Sequence, residues 1–207
     1  MEIRRTANAG VLLKLDDVNI LLDGVCRQVL SYLPTPPAEA QRLLQELPDA
    51  VAFTHHHPDH FDPDFAAAYE RATGKEILPT APTSFVGHVR IDAVPTRHMG
   101  KTNPNLQHVS FVLQGSKCVW FLGDAAPQQL KLLSAYPKPD VLIVPFPYLA
   151  TEVTMKQVEA FLPCQIVLVH MPARANDPDG IWEMVTPAMR KIGQDIHCPE
   201  IGENFTL

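Results

Sequence analysis

The segment Thr54-His55-His56-His57-Pro58-Asp59-His60 follows directly on the apolar run Ala50-Val51-Ala52-Phe53. A strand that ends in such a loop brings imidazoles and a carboxylate to the edge of a core, where each is costly to bury without a partner. A metal ion is a partner for all of them. Alternate side chains of an extended segment share a face, so His55 and His57 can converge on one ion. Once the chain turns at Pro58, Asp59 and His60 can point at a second ion beside the first. A solvated histidine-rich loop is the plain alternative.

Three later positions repeat the pattern of a ligand-type residue just past an apolar run. His98 follows Val89 to Val94 through Pro95-Thr96-Arg97, Asp124 follows Lys117 to Leu122 in a Gly123-Asp124 pair, and His170 follows Ile166-Val167-Leu168-Val169. Loops at one end of a sheet are where residues distant in sequence can meet on a rigid support. The seven residues His55, His57, Asp59, His60, His98, Asp124 and His170 suit two divalent ions. His55, His57 and His98 would hold one, Asp59, His60 and His170 the other, and the Asp124 carboxylate would bridge them. His56, His88, His108 and His197 are left over and read as structural or surface residues. Such a site makes a metal-bound hydroxide the nucleophile. Asp59 is the candidate catalytic carboxylate, orienting water or carrying a proton to the leaving group. A nitrogen and oxygen ligand set suits zinc first, with manganese or iron also compatible.

The elements that must position these residues alternate between strands and helices. Val11 to Leu15 and Asn19 to Leu22, around Asp16-Asp17, predict a hairpin. Asp23 behind it is either a turn residue or an acceptor for the metal loop. Thr35-Pro36 opens a helix with Ala40, Leu43, Leu44 and Leu47 at helical spacing. A second helix runs from about Asp64 to Ala72, with Gly74 to end it. Short strands are expected at Glu76 to Leu78 and Val89 to Val94, and a hairpin at Val109 to Leu113 and Lys117 to Leu122. Then come a helix over Gln128 to Ala135, a strand over Asp140 to Val144, and a helix from a capping box at Thr154-Met155-Lys156-Gln157 to Phe161. The strand before His170, a helix between Ile181 and Ile192 that contains Pro187, and a closing strand near Asn204 to Leu207 complete the order.

With 207 residues, 46% hydrophobic and 19% charged, the chain reads as one globular domain over residues 1–207. A net charge of −6 without a Lys/Arg run argues against nucleic acid or an anionic membrane as partner. No segment has the length of a signal peptide's apolar core or of a bilayer span, so a cytoplasmic protein is expected. Cys26, Cys118, Cys164 and Cys198 are widely separated and read as reduced structural thiols. A homo-oligomer is compatible with all of this.

His55-x-His57-x-Asp59-His60 resembles the H-x-H-x-D-H signature of the metallo-β-lactamase fold superfamily. The later His98, Asp124 and His170 match that superfamily's remaining ligand motifs in order, and the opening hairpin with Asp23 is similar to its N-terminal one. The resemblance covers most of the chain. It implies an α/β fold of four αβ/βα layers, two mixed sheets face to face with helices outside, and a dinuclear site at one edge. Asp140-Val-Leu-Ile-Val-Pro, then Thr154-Met155 and Ile166-Val-Leu-Val-His170, are similar to the branch holding L-ascorbate-6-phosphate lactonase. That branch usually carries a glycine-containing turn where Pro145-Phe146-Pro147-Tyr148 stands here.

The expected function is therefore metal-dependent hydrolysis of a small ester-like or lactone substrate. Arg97, Lys101 and Arg174 flank the ligand loops and could grip an anionic group, or could be solvated surface cations. Tyr148 and His108 are candidate pocket residues. One alternative is a phosphodiesterase acting on a small molecule or nucleotide. Another, from a different class, is a non-hydrolytic iron redox or metal-binding protein. The resemblance counts against its diiron form, because oxygen-reducing members typically have Glu where His57 stands.

Overall fold

The computed structural model describes residues 1–100, 106–162 and 164–207. The N-terminal half supplies β1 (Glu2–Arg5), β2 (Val11–Leu15), β3 (Val18–Leu22), α1 (Pro37–Glu46), β4 (Ala50–Ala52), α2 (Pro63–Thr73), β5 (Thr83–Val86) and β6 (Val89–Pro95). The rest supplies β7 (Val109–Gln114), β8 (Cys118–Phe121), α3 (Leu130–Leu133), β9 (Val141–Pro145), α4 (Glu152–Glu159), β10 (Gln165–Val169), α5 (Ile181–Ile192), β11 (Ile196–His197) and β12 (Asn204–Thr206).

These strands form two mixed sheets, ordered β12-β1-β2-β3-β4 and β11-β10-β9-β8-β7-β6-β5. In the first sheet β3 and β4 are parallel and the other pairs antiparallel. In the second, β8, β9, β10 and β11 run parallel while β5 to β8 form an antiparallel meander.

Alternation along the strands assigns each face its layer. Val11, Leu13, Leu15, Ile20 and Leu22 face Phe111, Leu113, Val119, Phe121, Ile143 and Val167 in a core between the sheets. The intervening residues Leu21 and Val51 pack outward with Phe53 on Leu43 of α1 and Phe65 and Tyr69 of α2. On the far side Trp120, Leu142, Val144, Ile166 and Leu168 pack on Leu133 of α3, Met155 and Val158 of α4, and Val185 and Ala188 of α5. The result is the four-layer αβ/βα sandwich.

Local chemistry explains where elements begin and end. Asp62 caps α2 by accepting from the Asp64 and Phe65 amides, and left-handed Gly74 terminates it. Pro187 is accommodated within α5. Helix α4 starts earlier than the sequence suggests: Thr151 is the cap, and Thr154 is the third residue of a capping box with it. In α1, Pro36 is the capping residue and Pro37 opens the first turn. The expected strand at Glu76 to Leu78 reduces to a single bridge between Leu78 and Ala52. The expected helix at Gln128 to Ala135 is a 3-10 turn at Pro127–Gln129 and one helical turn at Leu130–Leu133.

Candidate metal centre

Strands β4, β6, β8 and β10 end at one edge of the sandwich, and each delivers part of the cluster. The loop after β4 brings His55, His57, Asp59 and His60, and the ends of β6, β8 and β10 lead to His98, Asp124 and His170. The ligand loops are tied to one another by backbone bonds. Met99 donates to the Asp124 carbonyl at 2.8 Å, Ala126 to the Arg97 carbonyl at 2.8 Å, and Val109 to the Thr54 carbonyl at 3.0 Å.

Ligand atoms of three triads lie within 4.8 Å of one another: His55, His57 and His98; His55, His60 and Asp124; Asp59, His60 and His170. Asp124 stands between the groups. Its Oδ1 is 3.4 Å from His60 Nε2, and its Oδ2 is 3.5 Å from His98 Nε2 and 3.7 Å from His170 Nε2. These separations are long for hydrogen bonds. They match two ligands of a common ion, which at about 2.1 Å each and tetrahedral angles stand roughly 3.4 Å apart. The buried His55 Nε2, His60 Nε2 and Asp124 Oδ1 make no hydrogen bond. A burial this costly is offset by a cation, so the residues present fit a metal site.

The electrostatics agree with that fit. Burial opposes a charge on His60, yet the Asp124 and Asp23 carboxylates overcome it and hold the imidazole well above its ordinary pKa. Burial likewise opposes the Asp124 carboxylate, but His170 and His60 hold it well below the usual carboxylate range. The cluster thus stabilises positive charge at its centre. His55 is pushed the other way by burial and by its neighbour His60, which leaves it neutral and ready to donate a lone pair.

Outer partners fix the rings. Asp23 Oδ2 takes His60 Nδ1 at 2.7 Å and the Thr54 hydroxyl at 2.7 Å, while Oδ1 takes the Thr54 amide at 2.7 Å. Of the two readings of Asp23, the structure shows the acceptor. Thr54 Oγ1 is also 3.0 Å from His55 Nδ1. His98 Nδ1 donates to the Met99 carbonyl at 2.6 Å. Such contacts set tautomer and ring orientation. Gly123 is what lets the Asp124 loop approach: it has φ +52°, and a Cβ there would lie 2.6 Å from the Thr54 side chain.

His170 is held in the left-handed region at φ 60°. That is a costly place for a residue other than glycine. Its amide donates to the Asn8 carbonyl at 2.9 Å. Arg5, itself buried, donates to the carbonyls of Asn8 and Met171 at 2.9 Å each, of Pro199 at 3.0 Å and of Ala7 at 3.1 Å. The guanidinium therefore braces Met171, which follows His170, and Asn8, whose carbonyl holds the His170 amide. Burial lowers its pKa, but an arginine stays charged.

Two residues read as pocket candidates are placed elsewhere. His108 is 4% exposed, accepts the Asp124 amide at Nε2 (3.0 Å), and meets the Thr96 hydroxyl at Nδ1 (2.8 Å). Because Nε2 accepts, Nδ1 carries the hydrogen and donates to Thr96. His108 thus supports Asp124 from behind. Burial lowers its pKa to about 3. Tyr148 is fully buried, with its hydroxyl on the Ala125 carbonyl at 2.8 Å. Both rings brace the Asp124 loop and neither is open to a substrate. Arg97 is exposed at the rim, Arg174 lies over the Trp182 ring at 3.6 Å, and Lys101 lies outside the described residues.

Tyr32 is a residue that sequence reasoning missed. Its ring meets His170 edge-on, with centroids 4.4 Å apart. Burial and the nearby Asp124 and Asp59 carboxylates raise its pKa and keep the phenol neutral. The one available signal was its place in the apolar stretch Val29 to Leu33, which follows no helical or strand period.

A family model described as a beta-lactamase superfamily domain matches residues 2–170. The chain belongs to the metallo-β-lactamase superfamily. Among solved structures, a possible metal-dependent hydrolase from Veillonella parvula is similar to it at 17% identity and TM-score 0.76, covering 100% of this chain and 99% of that one. An isothiocyanate hydrolase from Delia radicum gut bacteria is similar at 18% identity and TM-score 0.70, covering 100% and 99%. A metallo hydrolase from the archaeon Ignicoccus hospitalis is similar at 16% identity and TM-score 0.66, covering 100% and 98%. At these identities the likeness is one of fold. No curated protein matches the chain.

Proposed function

We propose that this superfamily member is a cytoplasmic hydrolase with two divalent metal ions, zinc first among the candidates, that cleaves a small ester-like or lactone substrate. The observation that carries the reading is the position of Asp124: its Oδ2 faces both His98 and His170, which belong to different ligand sets, and its Oδ1 faces His60. His55, His57 and His98 would hold one ion, Asp59, His60 and His170 the second, and Asp124 both. When bound, the ions supply Lewis acidity and bring the pKa of water near neutrality.

The chain's own residues do the rest. Asp59 Oδ2 lies 3.1 Å from His170 Nε2. Burial raises the Asp59 pKa, but His170 and His60 outweigh it and leave a carboxylate. That carboxylate can accept a proton from the attacking water and return it to the departing alkoxide. Asp23 and Thr54 keep His60 and His55 aligned throughout. Proteins similar in fold include an isothiocyanate hydrolase, and an isothiocyanate also presents an electrophilic carbon to water.

The test combines elemental analysis with a panel of lactone, carboxylic ester, isothiocyanate and phosphodiester substrates. Lactone or ester turnover that chelator abolishes and zinc restores is the expected outcome. Turnover of the phosphodiesters alone would replace this reading with a phosphodiesterase.

A further inference from the structure

One flank of the centre is aromatic and apolar, and the substrate assignment above makes no use of it. Tyr32 stands edge-on to His170 at 4.4 Å, and the Phe146 ring lies 6.3 Å from the same imidazole. Tyr32 sits on a tight turn in which Val29 and Tyr32 exchange backbone bonds of 3.2 and 2.9 Å. At the tip, Leu30 is 88% exposed and held at φ 51°. A leucine in that conformation, with its side chain in water, gains nothing from the fold itself. The turn is pinned rather than loose. The Arg27 amide donates to the Pro58 carbonyl at 2.6 Å, and Cys26 and Thr35 close its base with bonds of 3.0 and 3.1 Å.

Leu33, at the end of this turn, lines a cavity of about 250 Å³ together with Met171, Ile201, Asn8, Arg5 and Glu200. Three chain links place it beside the centre. Leu33 directly follows Tyr32, Met171 directly follows His170, and the Asn8 carbonyl receives the His170 amide. The Arg5 guanidinium is engaged by four carbonyls and offers little to an anion. Glu200 adds negative charge at the rim, which would repel one.

We infer that the Tyr32–Leu33 wall and the cavity beside it receive an uncharged hydrocarbon or aryl substituent of the substrate. This rests on the hydrolase reading and narrows it: the substrate is a neutral ester or lactone with an apolar tail rather than a compact anion. Pocket recognition of this kind draws on apolar burial and rigid aromatic surface, with few polar groups to set orientation.

Binding can be read without turnover. In saturation-transfer NMR titrations of the metal-loaded protein, 1-octanol should bind at least tenfold more tightly than 1-butanol. The Tyr32 and His170 ring resonances should shift with octanol. Leu33→Asp, at a residue 47% exposed and so tolerant of substitution, should reduce the octanol-to-butanol ratio to threefold or less. Ile201→Ser, at a partly exposed residue lining the same cavity, should lower the ratio likewise and decides the test if Leu33→Asp folds poorly, while Tyr32→Phe, which keeps the ring, is the control that should leave it unchanged. A ratio near one in the native protein, or one that Leu33→Asp does not alter, overturns the inference.

Turnover separates the two readings. If octanol binds as expected but no ester or lactone is hydrolysed, the reaction class fails and the apolar subsite stands. If acetyl and octanoyl esters are cleaved with equal kcat/KM, or an anionic ester is preferred, the subsite fails while the hydrolase reading stands.

Discussion

Asp124 is the residue on which the chemistry of the centre turns. Its oxygens face imidazoles at 3.4 to 3.7 Å, distances an ion closes and a hydrogen bond does not. Asp124→Ala should keep the fold, lose at least one of two bound ions by elemental analysis, and lose most turnover. His56→Ala, whose exposed ring stacks on Phe61 away from the cluster, should keep both ions. Full metal content in Asp124→Ala would sink the bridging role. His108 gives a pH signature at the same scale. Burial lowers its pKa to about 3, against 6.5 for an ordinary histidine. Its neutral form therefore contributes stability that is complete above pH 6.5 and is lost as pH falls toward the folded value, because only the unfolded chain takes up the proton. His108→Gln can accept from the Asp124 amide and donate to Thr96 without that proton. Urea titrations between pH 7.5 and 5 should show its stability falling less steeply than the native protein's, by up to about 1.4 kcal/mol per pH unit.

At the scale of elements, the centre depends on loops that lie unusually close together, and Gly123 sets the closeness. Gly123→Ala forces a left-handed alanine and drives its Cβ into Thr54. The first effect costs roughly 1–2 kcal/mol and the second a similar amount. Thermal denaturation should show both, and displacement of Thr54 should weaken metal binding. Asp23→Asn separates orientation from packing. It preserves shape but removes the carboxylate from His60, and metal affinity by competition titration should fall about 10- to 100-fold. An unchanged affinity would reduce Asp23 to a turn residue.

The sequence made this framework readable because His55-x-His57-x-Asp59-His60 is dense and local, and because His98, Asp124 and His170 each follow an apolar strand. Three short strands were harder to see. Glu2–Arg5 has a single isoleucine among three charged residues, Thr83–Val86 is four residues with only Phe85 and Val86 apolar, and Ile196–His197 is two residues long. The roles of His108, Tyr148 and Tyr32 depend on contacts between residues far apart in the chain. No spacing rule reveals that one imidazole braces a loop from behind while a phenol faces the centre. The start of α4 was misplaced because Thr151 and Thr154 are both plausible caps, and only the backbone at Thr151, extended at φ −138°, distinguishes them.

For the whole molecule, the cluster is a junction between the two sheets. His55, His57, Asp59 and His60 leave β4 of the first sheet, whereas His98, Asp124 and His170 leave β6, β8 and β10 of the second. Without ions, the buried Asp124 carboxylate stands 3.4 to 3.7 Å from the imidazoles of His60, His98 and His170, too far for good hydrogen bonds, which weakens the edge where the sheets meet. With ions, the same groups become cross-links between layers, added to the central core and to the backbone bonds from Val109 to Thr54 and from His170 to Asn8. An ion that binds only the folded chain adds about 2.7 kcal/mol when its free concentration is a hundredfold above Kd. For a chain of this length each kcal/mol moves the melting temperature by about 2–4 °C. Removing one such ion should therefore lower the melting temperature by about 5–10 °C, and removing two by more. Scanning calorimetry of chelated protein, titrated back with zinc, should show the loss recovered in proportion to the ions taken up. Asp124→Ala should recover less than the native protein at saturation. A melting temperature indifferent to chelator, in protein shown by elemental analysis to have lost its metal, would mean that the cluster does not join the sheets through an ion.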